Sequence, residues 1–397
     1  MRIGLVCDLT PGGTITFTRA MDVLLRAQGH ATTRVALREL SMRSNQEIGI
    51  ENDIILEYSQ YGNKHRLRKQ FLKAVKDVDV IISSSYLPIV WRSREDSDIP
   101  HIHVEHLADP VIYSPFIQQR TCYDHCITVN RDVAVHIAKM LGEGSSVSHV
   151  RNPYLFPQSA EMHQRSSPAS PGQRVVLFVG RVERNKGADL LHEIAGRSQE
   201  EGLPYVFEVV GPIHDRVLAS RMAAMPSVRV NGSVHPDLMR KFYRNADIFL
   251  LISRSEAMSY ALLEALDAEC DVIIMNPNAE AASILDTDSN EAVGHICRES
   301  NEVLAILRRI VDHIPTGEER QRSKAAVHRY IDNEKTIRQY ERIMHQVVAS
   351  AKEVPLPTSI RYPTRLDYPW MPELPLRSLR TLIHGTSLFR WLKQTAP

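Results

Sequence analysis

The chain has 397 residues, 43% hydrophobic and 24% charged, which is enough apolar material for two cores. A net charge of +1 gives no electrostatic reason to bind nucleic acid. Five cysteines, Cys7, Cys122, Cys126, Cys270 and Cys297, show no CxxC pairing of the metal-binding kind, so reduced thiols in a cytoplasm fit better than a disulfide framework.

No signal sequence is visible, and no apolar run reaches about 18 residues, so no membrane span is expected. Residues 2–8 read as a buried strand, followed by a tight turn at Pro11, Gly12, Gly13 and Thr14. A helix is expected over 17–28, stopped at Gly29, with Thr14 and Thr16 available as caps. The glycine pair would let the backbone approach a bulky ligand, with Gly13 the better candidate; the plainer reading is a strand-to-helix turn. Residues 53–57 read as a short strand and 64–76 as a strongly basic amphipathic helix. Its charges serve more simply as a solvated face than as a contact with an anionic membrane.

Residues 78–83 form the next expected strand, with Ser83, Ser84, Ser85 and Tyr86 at its carboxyl end. In the stretch 99–109, alternation along a strand points His101 and His103 to one face and leaves His106 past the strand end, which argues against a shared zinc ion. A strand over 126–129, a helix over 131–141 ended by Gly142 and a strand over 147–150 complete the first half. Asn152 and Pro153 mark its exit, and residues 157–171, rich in Ser, Gln and Pro, read as a linker.

The second half opens on an apolar run at 175–179 ending in Gly180, the pattern of a strand covered on both faces. A polar turn carrying Arg181, Lys186 and Gly187 then leads into a helix. Strand 205–210 ends at Gly211, and strand 247–252 runs into Ser253 and Glu256. In open parallel sheets a ligand sits beyond the carboxyl ends of the strands, where Arg181, Lys186 and Glu256 fall. A helix is expected from Ala257 onward, with Leu262, Leu263 and Leu266 inward and its first turn at Met258, Ser259 and Tyr260, whose free N–H groups favour an anion. If both glutamates lie on that helix, Glu264 is roughly 80° round from Glu256 and about 12 Å along the axis. Two carboxylates so spaced cannot share a proton or a metal, but they can grip two parts of one elongated ligand with phosphate between, the shape of a nucleotide sugar. Helices are expected over 301–313 and 317–351. Residues 355–397 change character, with seven prolines and six basic against two acidic residues, plus Trp370 and Trp391.

The combination Gly180-Arg181, Lys186-Gly187, Gly211, Ala246-Asp247, Ser253, Glu256 and Glu264-Ala265-Leu266 resembles the carboxy-terminal domain of retaining GT-B glycosyltransferases of family GT4, also called group 1. The resemblance extends weakly to about residue 345. It implies an α/β protein of two Rossmann-like parallel-sheet domains facing a central cleft: 1–157 on the acceptor side, a linker at 158–171, 172–345 binding the nucleotide sugar, and a tail at 346–397 crossing back. It also implies roles. Glu256 and His106 contact the donor hexose, Glu264 the ribose, and Arg181 and Lys186 the diphosphate. Gly13, Gly180, Gly211, Met258, Ser259 and Tyr260 line the donor cradle.

The implied activity is transfer of a hexose from a nucleotide sugar, a UDP-sugar, to an acceptor hydroxyl with retention and with neither metal nor further cofactor. The acceptor is a small molecule, a saccharide or a lipid-linked group, and the setting is cytoplasmic, with peripheral contact at the inner membrane face left open. A nucleotide-sugar epimerase of the same fold and a noncatalytic nucleotide-sugar-binding or scaffold protein are the alternatives. Three departures stand out. Glu269 and Asp271 occupy places where the family usually has glycine and proline, and a left-handed residue at 269 would cost energy. The bulky Met258, Ser259 and Tyr260 narrow the hexose pocket. Glu280 follows Asn276-Pro277-Asn278-Ala279 rather than a glycine pair, and reads equally as a helix start or a ligand.

Overall fold

The computed structural model describes residues 1–9, 12–40, 53–59, 64–84, 97–106, 122–142, 144, 146–156, 172–285, 292–313 and 315–350. Pro11, Ser85, Tyr86, the stretch 107–109, the linker 157–171 and the tail from 351, with Trp370 and Trp391, lie outside them. The first half contains β1 (Arg2–Asp8), α1 (Gly13–Ala27), β2 (Ala31–Glu39), β3 (Ile54–Tyr58), α2 (Lys64–Ala74), β4 (Val80–Ser84), β5 (His101–Glu105), β6 (His125–Thr128), α3 (Arg131–Leu141) and β7 (Val147–His149). The second contains β8 (Arg174–Val179), a 3-10 turn (Arg184–Lys186), α4 (Ala188–Glu200), β9 (Tyr205–Val210), α5 (Arg216–Ala223), β10 (Val228–Gly232), α6 (Pro236–Asn245), β11 (Ile248–Leu251), α7 (Tyr260–Asp267), β12 (Asp271–Met275), α8 (Ala279–Leu285), β13 (His295–Cys297), α9 (Ser300–Ile310), α10 (Gly317–Tyr330) and α11 (Asn333–Ser350).

Among the described residues these strands make two all-parallel sheets, ordered β3-β2-β1-β4-β5-β6-β7 and β10-β9-β8-β11-β12-β13. Both orders reverse beside the first strand, between β1 and β4 and between β8 and β11. That is the switch point where doubly wound sheets open a crevice for a ligand. After Arg174 at the start of β8, the strands at the second switch point are apolar because helices cover both faces: Val176, Leu177, Ile248, Phe249 and Leu250 are buried.

The expected elements are present with instructive shifts. α1 begins at Gly13 rather than 17, so Thr14 and Thr16 lie inside the helix and are not caps; the cap position is Gly12, without a side-chain hydrogen bond. The single helix expected over 317–351 is two. Ile331 takes an extended conformation after α10 (φ −85°, ψ 120°), and Asp332 accepts from Lys335 N at 2.8 Å to start α11. α10 itself opens on a full capping box, Thr316 with Glu319.

The sequence division gives residues to 345 to the second half, but α11 lies against the first sheet. Tyr340 packs near Phe17 with ring centroids 6.2 Å apart. His30 Nε2 is 2.9 Å from Glu341 Oε1. Ile337, Tyr340, Met344 and Val347 join one core with Phe17, Met21, Ile102 and Ile127. Residues 333–350 thus cross back to the first half, while the tail from 351, for which a crossing was also expected, lies outside the described residues. All five cysteines are buried and free. Among the described residues no helix is long and apolar enough to cross a membrane.

Between the halves the chain is clipped together by polar contacts. Asn333 accepts from Tyr154 N at 3.0 Å and donates to the Tyr154 carbonyl at 2.7 Å. Arg151 donates to the Tyr330 carbonyl at 3.0 Å and lies over the Tyr330 ring, 4.3 Å from its centroid. The buried Glu280 accepts from Tyr330 Oη at 2.5 Å and from Arg131 N at 3.2 Å, and His149 Nε2 lies 3.1 Å away. Burial alone would raise the Glu280 carboxyl, but these donors hold it below its ordinary range. Of the two readings of Glu280 in the sequence, its contacts are those of a structural tie.

Asn333→Ala leaves both polar groups of Tyr154 without their partner. It should lower unfolding stability by about 1–3 kcal/mol, measured as a drop in urea midpoint at unchanged slope. An unchanged midpoint would mean that water replaces the clip.

Candidate active site at the switch point of the second sheet

The turn after β8 is shaped by backbone crowding. Gly211 has no room for a side chain: with φ 142°, a Cβ there would sit 2.1 Å from the Gly180 carbonyl oxygen. Gly187 has φ 81°, and a Cβ would lie 2.2 Å from the Ile252 carbonyl oxygen. Only glycine meets both demands at each position. The 3-10 turn is thereby pressed against the end of β11, which brings Lys186 beside the loop that follows it. Lys186 Nζ lies 2.7 Å from Glu256 Oε1, with the side chains 20% and 22% exposed. Arg254 reinforces the same contact: its guanidinium makes a two-pronged pair with Asp189 at 2.7 and 2.7 Å, and its backbone N donates to the Asn185 carbonyl at 2.9 Å.

Arg181 follows Gly180 and pairs with Glu183 at 2.8 Å, while His214 Nδ1 approaches the other oxygen of Glu183 at 3.2 Å. Burial raises the Glu183 carboxyl, but Arg181 and His214 together bring it below its usual range. A pocket of about 230 Å³ opens at the carboxyl ends of β11 and β12, with Ser253, Arg254, Glu256, Met258, Ser259 and Asn278 in its wall.

The helix expected from Ala257 begins at Tyr260, with Ser259 as its cap accepting from Leu262 N at 3.4 Å. Glu256 therefore stands in the loop before the helix, and the 80° and 12 Å spacing that assumes both glutamates on one helix does not apply. The reason is visible in the hydrogen bonds. The carbonyls of Glu256 and Ala257, which an earlier helix start would use in its ladder, are taken by the Asn278 amide at 2.6 and 2.9 Å. Ala257 also accepts from Asn130 at 2.9 Å. The first turn of the helix that does form lies at Tyr260 to Leu262, not at Met258 to Tyr260, and its Leu262 N–H is taken by Ser259 Oγ. At the other end Glu269 adopts the left-handed conformation, φ 64°.

Glu264 lies on α7 but outside the pocket that holds Glu256, on the side facing Arg240 and Tyr243 of α6. Burial raises its carboxyl to about 7, against the lowering effects of the Tyr243 hydroxyl and Arg240. Met258 and Tyr260 are both buried. The Tyr260 ring comes within 3.1 Å of where a Cβ on Gly13 would stand, and its hydroxyl donates to the Pro153 carbonyl at 3.0 Å. What approaches Gly13 is thus Tyr260.

His106 stands just past β5 as expected, edge-on to Phe17 with centroids 4.7 Å apart. Its Nε2 is buried and has no hydrogen-bond partner. Burial, then the neighbouring His103, lowers its ring to about 3, so it is neutral. The structure thus joins Lys186, Glu256, Met258 and Ser259 around one loop, with Gly180 and Arg181 on the adjacent turn; Gly211 packs beneath that turn. Glu264 and His106 stand apart from that pocket. Glu183, Arg254, Asn130 and Asn278 were not singled out by the sequence. Asn130 and Asn278 are legible as helix caps, but nothing in their spacing reveals the carbonyl they reach. Among the described residues no group of three or more His, Cys, Asp or Glu is placed to hold a metal ion.

The sequence model of the family described as "Glycosyl transferases group 1" matches residues 173–313. The chain is 28% identical over 116 residues to a sulfoquinovosyl transferase of Arabidopsis thaliana, covering 29% of this chain and 22% of the relative. It is 30% identical over 139 residues to D-inositol 3-phosphate glycosyltransferase 2 of Catenulispora acidiphila, covering 32% and 33%. The chain thus spans a third or less of the length of these relatives. Among solved structures, a sucrose-phosphate synthase of Thermosynechococcus elongatus superposes with a TM-score of 0.66 at 14% identity over 88% of this chain and 100% of that one. Anabaena HepE in complex with UDP and glucose gives 0.65 at 13% identity, over 87% and 100%. The pneumococcal O-GlcNAc transferase GtfA in complex with UDP and GlcNAc gives 0.65 at 8%, over 87% and 99%. Likeness at such identities establishes the fold, which is GT-B.

The Glu264 carboxyl carries a testable pH signature. Its folded value near 7 exceeds the ordinary 4.5, so the folded chain holds the extra proton between those values and loses stability as pH rises from about 4.5 to 7. Glu264→Gln removes the titration. Its stability relative to the native protein should therefore climb across that window and level off above pH 7, read by thermal unfolding from pH 5 to 8. Parallel pH profiles would show that Glu264 titrates in its ordinary range.

Proposed function

We propose that the chain transfers a hexosyl group from a nucleoside-diphosphate sugar, a UDP-sugar, to an acceptor hydroxyl with retention at the anomeric carbon. The observation that carries this is the Lys186–Glu256 pair, held at the carboxyl-end switch point of the second sheet. The match of residues 173–313 to a glycosyltransferase family supports it. As the glycosidic bond breaks, negative charge accumulates on the departing diphosphate, and Arg181 and Lys186 are the cations positioned to stabilise it. This is the role that a divalent ion fills in other designs, and the proposed reaction needs neither metal nor additional cofactor.

In the unliganded protein both cations are held by carboxylates, Glu183 and Glu256. A diphosphate competes for them, and once Lys186 turns to it the Glu256 carboxylate is released to accept from hexose hydroxyls. Glu264 is assigned to the ribose and His106, neutral and with a buried unpaired nitrogen, to the hexose; Gly13, Gly180, Gly211, Met258, Ser259 and Tyr260 complete the donor cradle. The acceptor is a small molecule, a saccharide or a lipid-linked group. The exposed basic residues of α2, including Lys69 and Lys73, would suit peripheral contact with an anionic inner membrane face in a cytoplasmic setting.

Incubation with a panel of nucleotide sugars and acceptors, with product anomers assigned by NMR, tests the reading. An epimerase would interconvert the donor without an acceptor, and a scaffold would bind nucleotide without turnover. Lys186→Ala should lower transfer more than tenfold, since a charge-assisted contact to a developing anion is worth roughly 2–4 kcal/mol. Normal turnover in that variant would remove Lys186 from the reaction. EDTA should leave the rate nearly unchanged; loss of activity restored by Mg²⁺ would overturn the metal-free mechanism.

A further inference from the structure

Two helix-capping asparagines, one from each sheet, meet on a single carbonyl. Asn130 follows β6 and is 2% exposed. Its Oδ1 accepts from Val133 N at 3.1 Å to cap α3, which leaves Nδ2 to donate to the Ala257 carbonyl at 2.9 Å, 127 positions along the chain. Asn278 repeats the arrangement at α8: Oδ1 accepts from Ala281 N at 2.9 Å, and Nδ2 donates to the Ala257 and Glu256 carbonyls at 2.9 and 2.6 Å. In each case the cap fixes which way the amide faces, because the reversed amide would set N–H against N–H. The Ala257 carbonyl, one residue past Glu256, is therefore gripped from both sides. Asn278 and the Arg254–Asp189 pair anchor this loop from the second half; Asn130 anchors it from the first, where the Pro153 carbonyl also takes the Tyr260 hydroxyl at the start of α7.

We propose that Asn130 is a positioning residue: through the Ala257 carbonyl it makes the orientation of the Glu256 carboxylate depend on how the first sheet is seated against the second. With the sheets seated, the Asn130 amide completes the grip on the peptide and Glu256 is aimed at Lys186. With them parted, that donor is withdrawn and the loop keeps only its own-sheet anchors. The proposal rests on the reading of Glu256 as the carboxylate that contacts the hexose. It links acceptor-side closure to donor-side geometry without any contact between Asn130 and the donor.

Asn130→Ser is the informative variant. A serine hydroxyl caps α3 nearly as well, but it is too short to reach Ala257. Transfer kcat should fall about threefold to tenfold, the scale of one buried neutral hydrogen bond, while donor KM and the melting temperature stay near the native values. Placed in a Glu256→Gln background, Asn130→Ser should cost less than twofold more, because it acts through that carboxylate. A full additional factor there, or an unchanged kcat in the single variant, overturns the proposal. Hydrogen exchange separates this from the fate of the functional reading. Amides of residues 253–260 should exchange severalfold faster in Asn130→Ser with the other segments unaltered, and unchanged exchange overturns the proposal whatever the activity. Faster exchange in a protein whose native form transfers no sugar upholds the grip and overturns the hexosyl reading.

Discussion

The geometry of the second crevice depends on two backbone contacts too close for any side chain. Because Gly187 lies against the Ile252 carbonyl and Gly211 against Gly180, the turn after β8 and the end of β11 occupy one small volume. Lys186 is delivered to Glu256 by that approach. No strong pairing energy is needed to bring them together, because the backbone approach already sets the two side chains within reach. The pair is a result of the fold. A similar logic holds at Arg181, whose carboxylate partner is shared with His214. In the resting crevice each of these cations is matched by a carboxylate, Arg181 by Glu183, Lys186 by Glu256 and Arg254 by Asp189, so under the proposed function a diphosphate would have to displace carboxylates rather than meet a bare positive field.

Much of this was legible in the sequence, for physical reasons that also explain the rest. Strands β8, β9 and β11 are read from unbroken apolar runs, since strands covered on both faces need no alternation. β2 and β10 were missed because they mix buried with partly exposed positions: Arg34 and Arg38 interrupt the first, Arg229 and Asn231 the second. The turn residues Arg181, Lys186 and Gly187 follow from motif and position. The start of α7 does not, because residues 257–259 are acceptable helix formers or caps and the deciding forces come from Asn130 and Asn278, far away in the chain. Propensity describes the local ladder, and here a tertiary hydrogen bond removes its first rungs. Glu269 is the reverse case: the missing glycine left either a left-handed glutamate or a different helix end, and the chain takes the first.

Tyr260 shows how a departure from a family pattern changes what a loop is for. With a small residue at that point, the space between the start of α1 and the start of α7 would be open. Here the aromatic ring fills it and reaches the Pro153 carbonyl. The pocket opens beside β12 and Asn278, and its wall contains Met258 and Ser259.

α11 gives the chain a further property. The first sheet is covered in part by a helix that arrives from the far end of the second half, bearing Ile337, Tyr340, Met344 and Val347 into the core beneath α1. A piece ending before residue 157 would therefore lack one wall of its own interior, and a piece beginning at 172 would display that wall as a bare apolar stripe. Neither half is a free-standing module. Cleavage in the linker would leave two fragments that hold each other in register, so the protein would survive a nick there as a complemented pair, while exchange of either half for a homologous one would have to carry its matching stretch of residues 333–350 along.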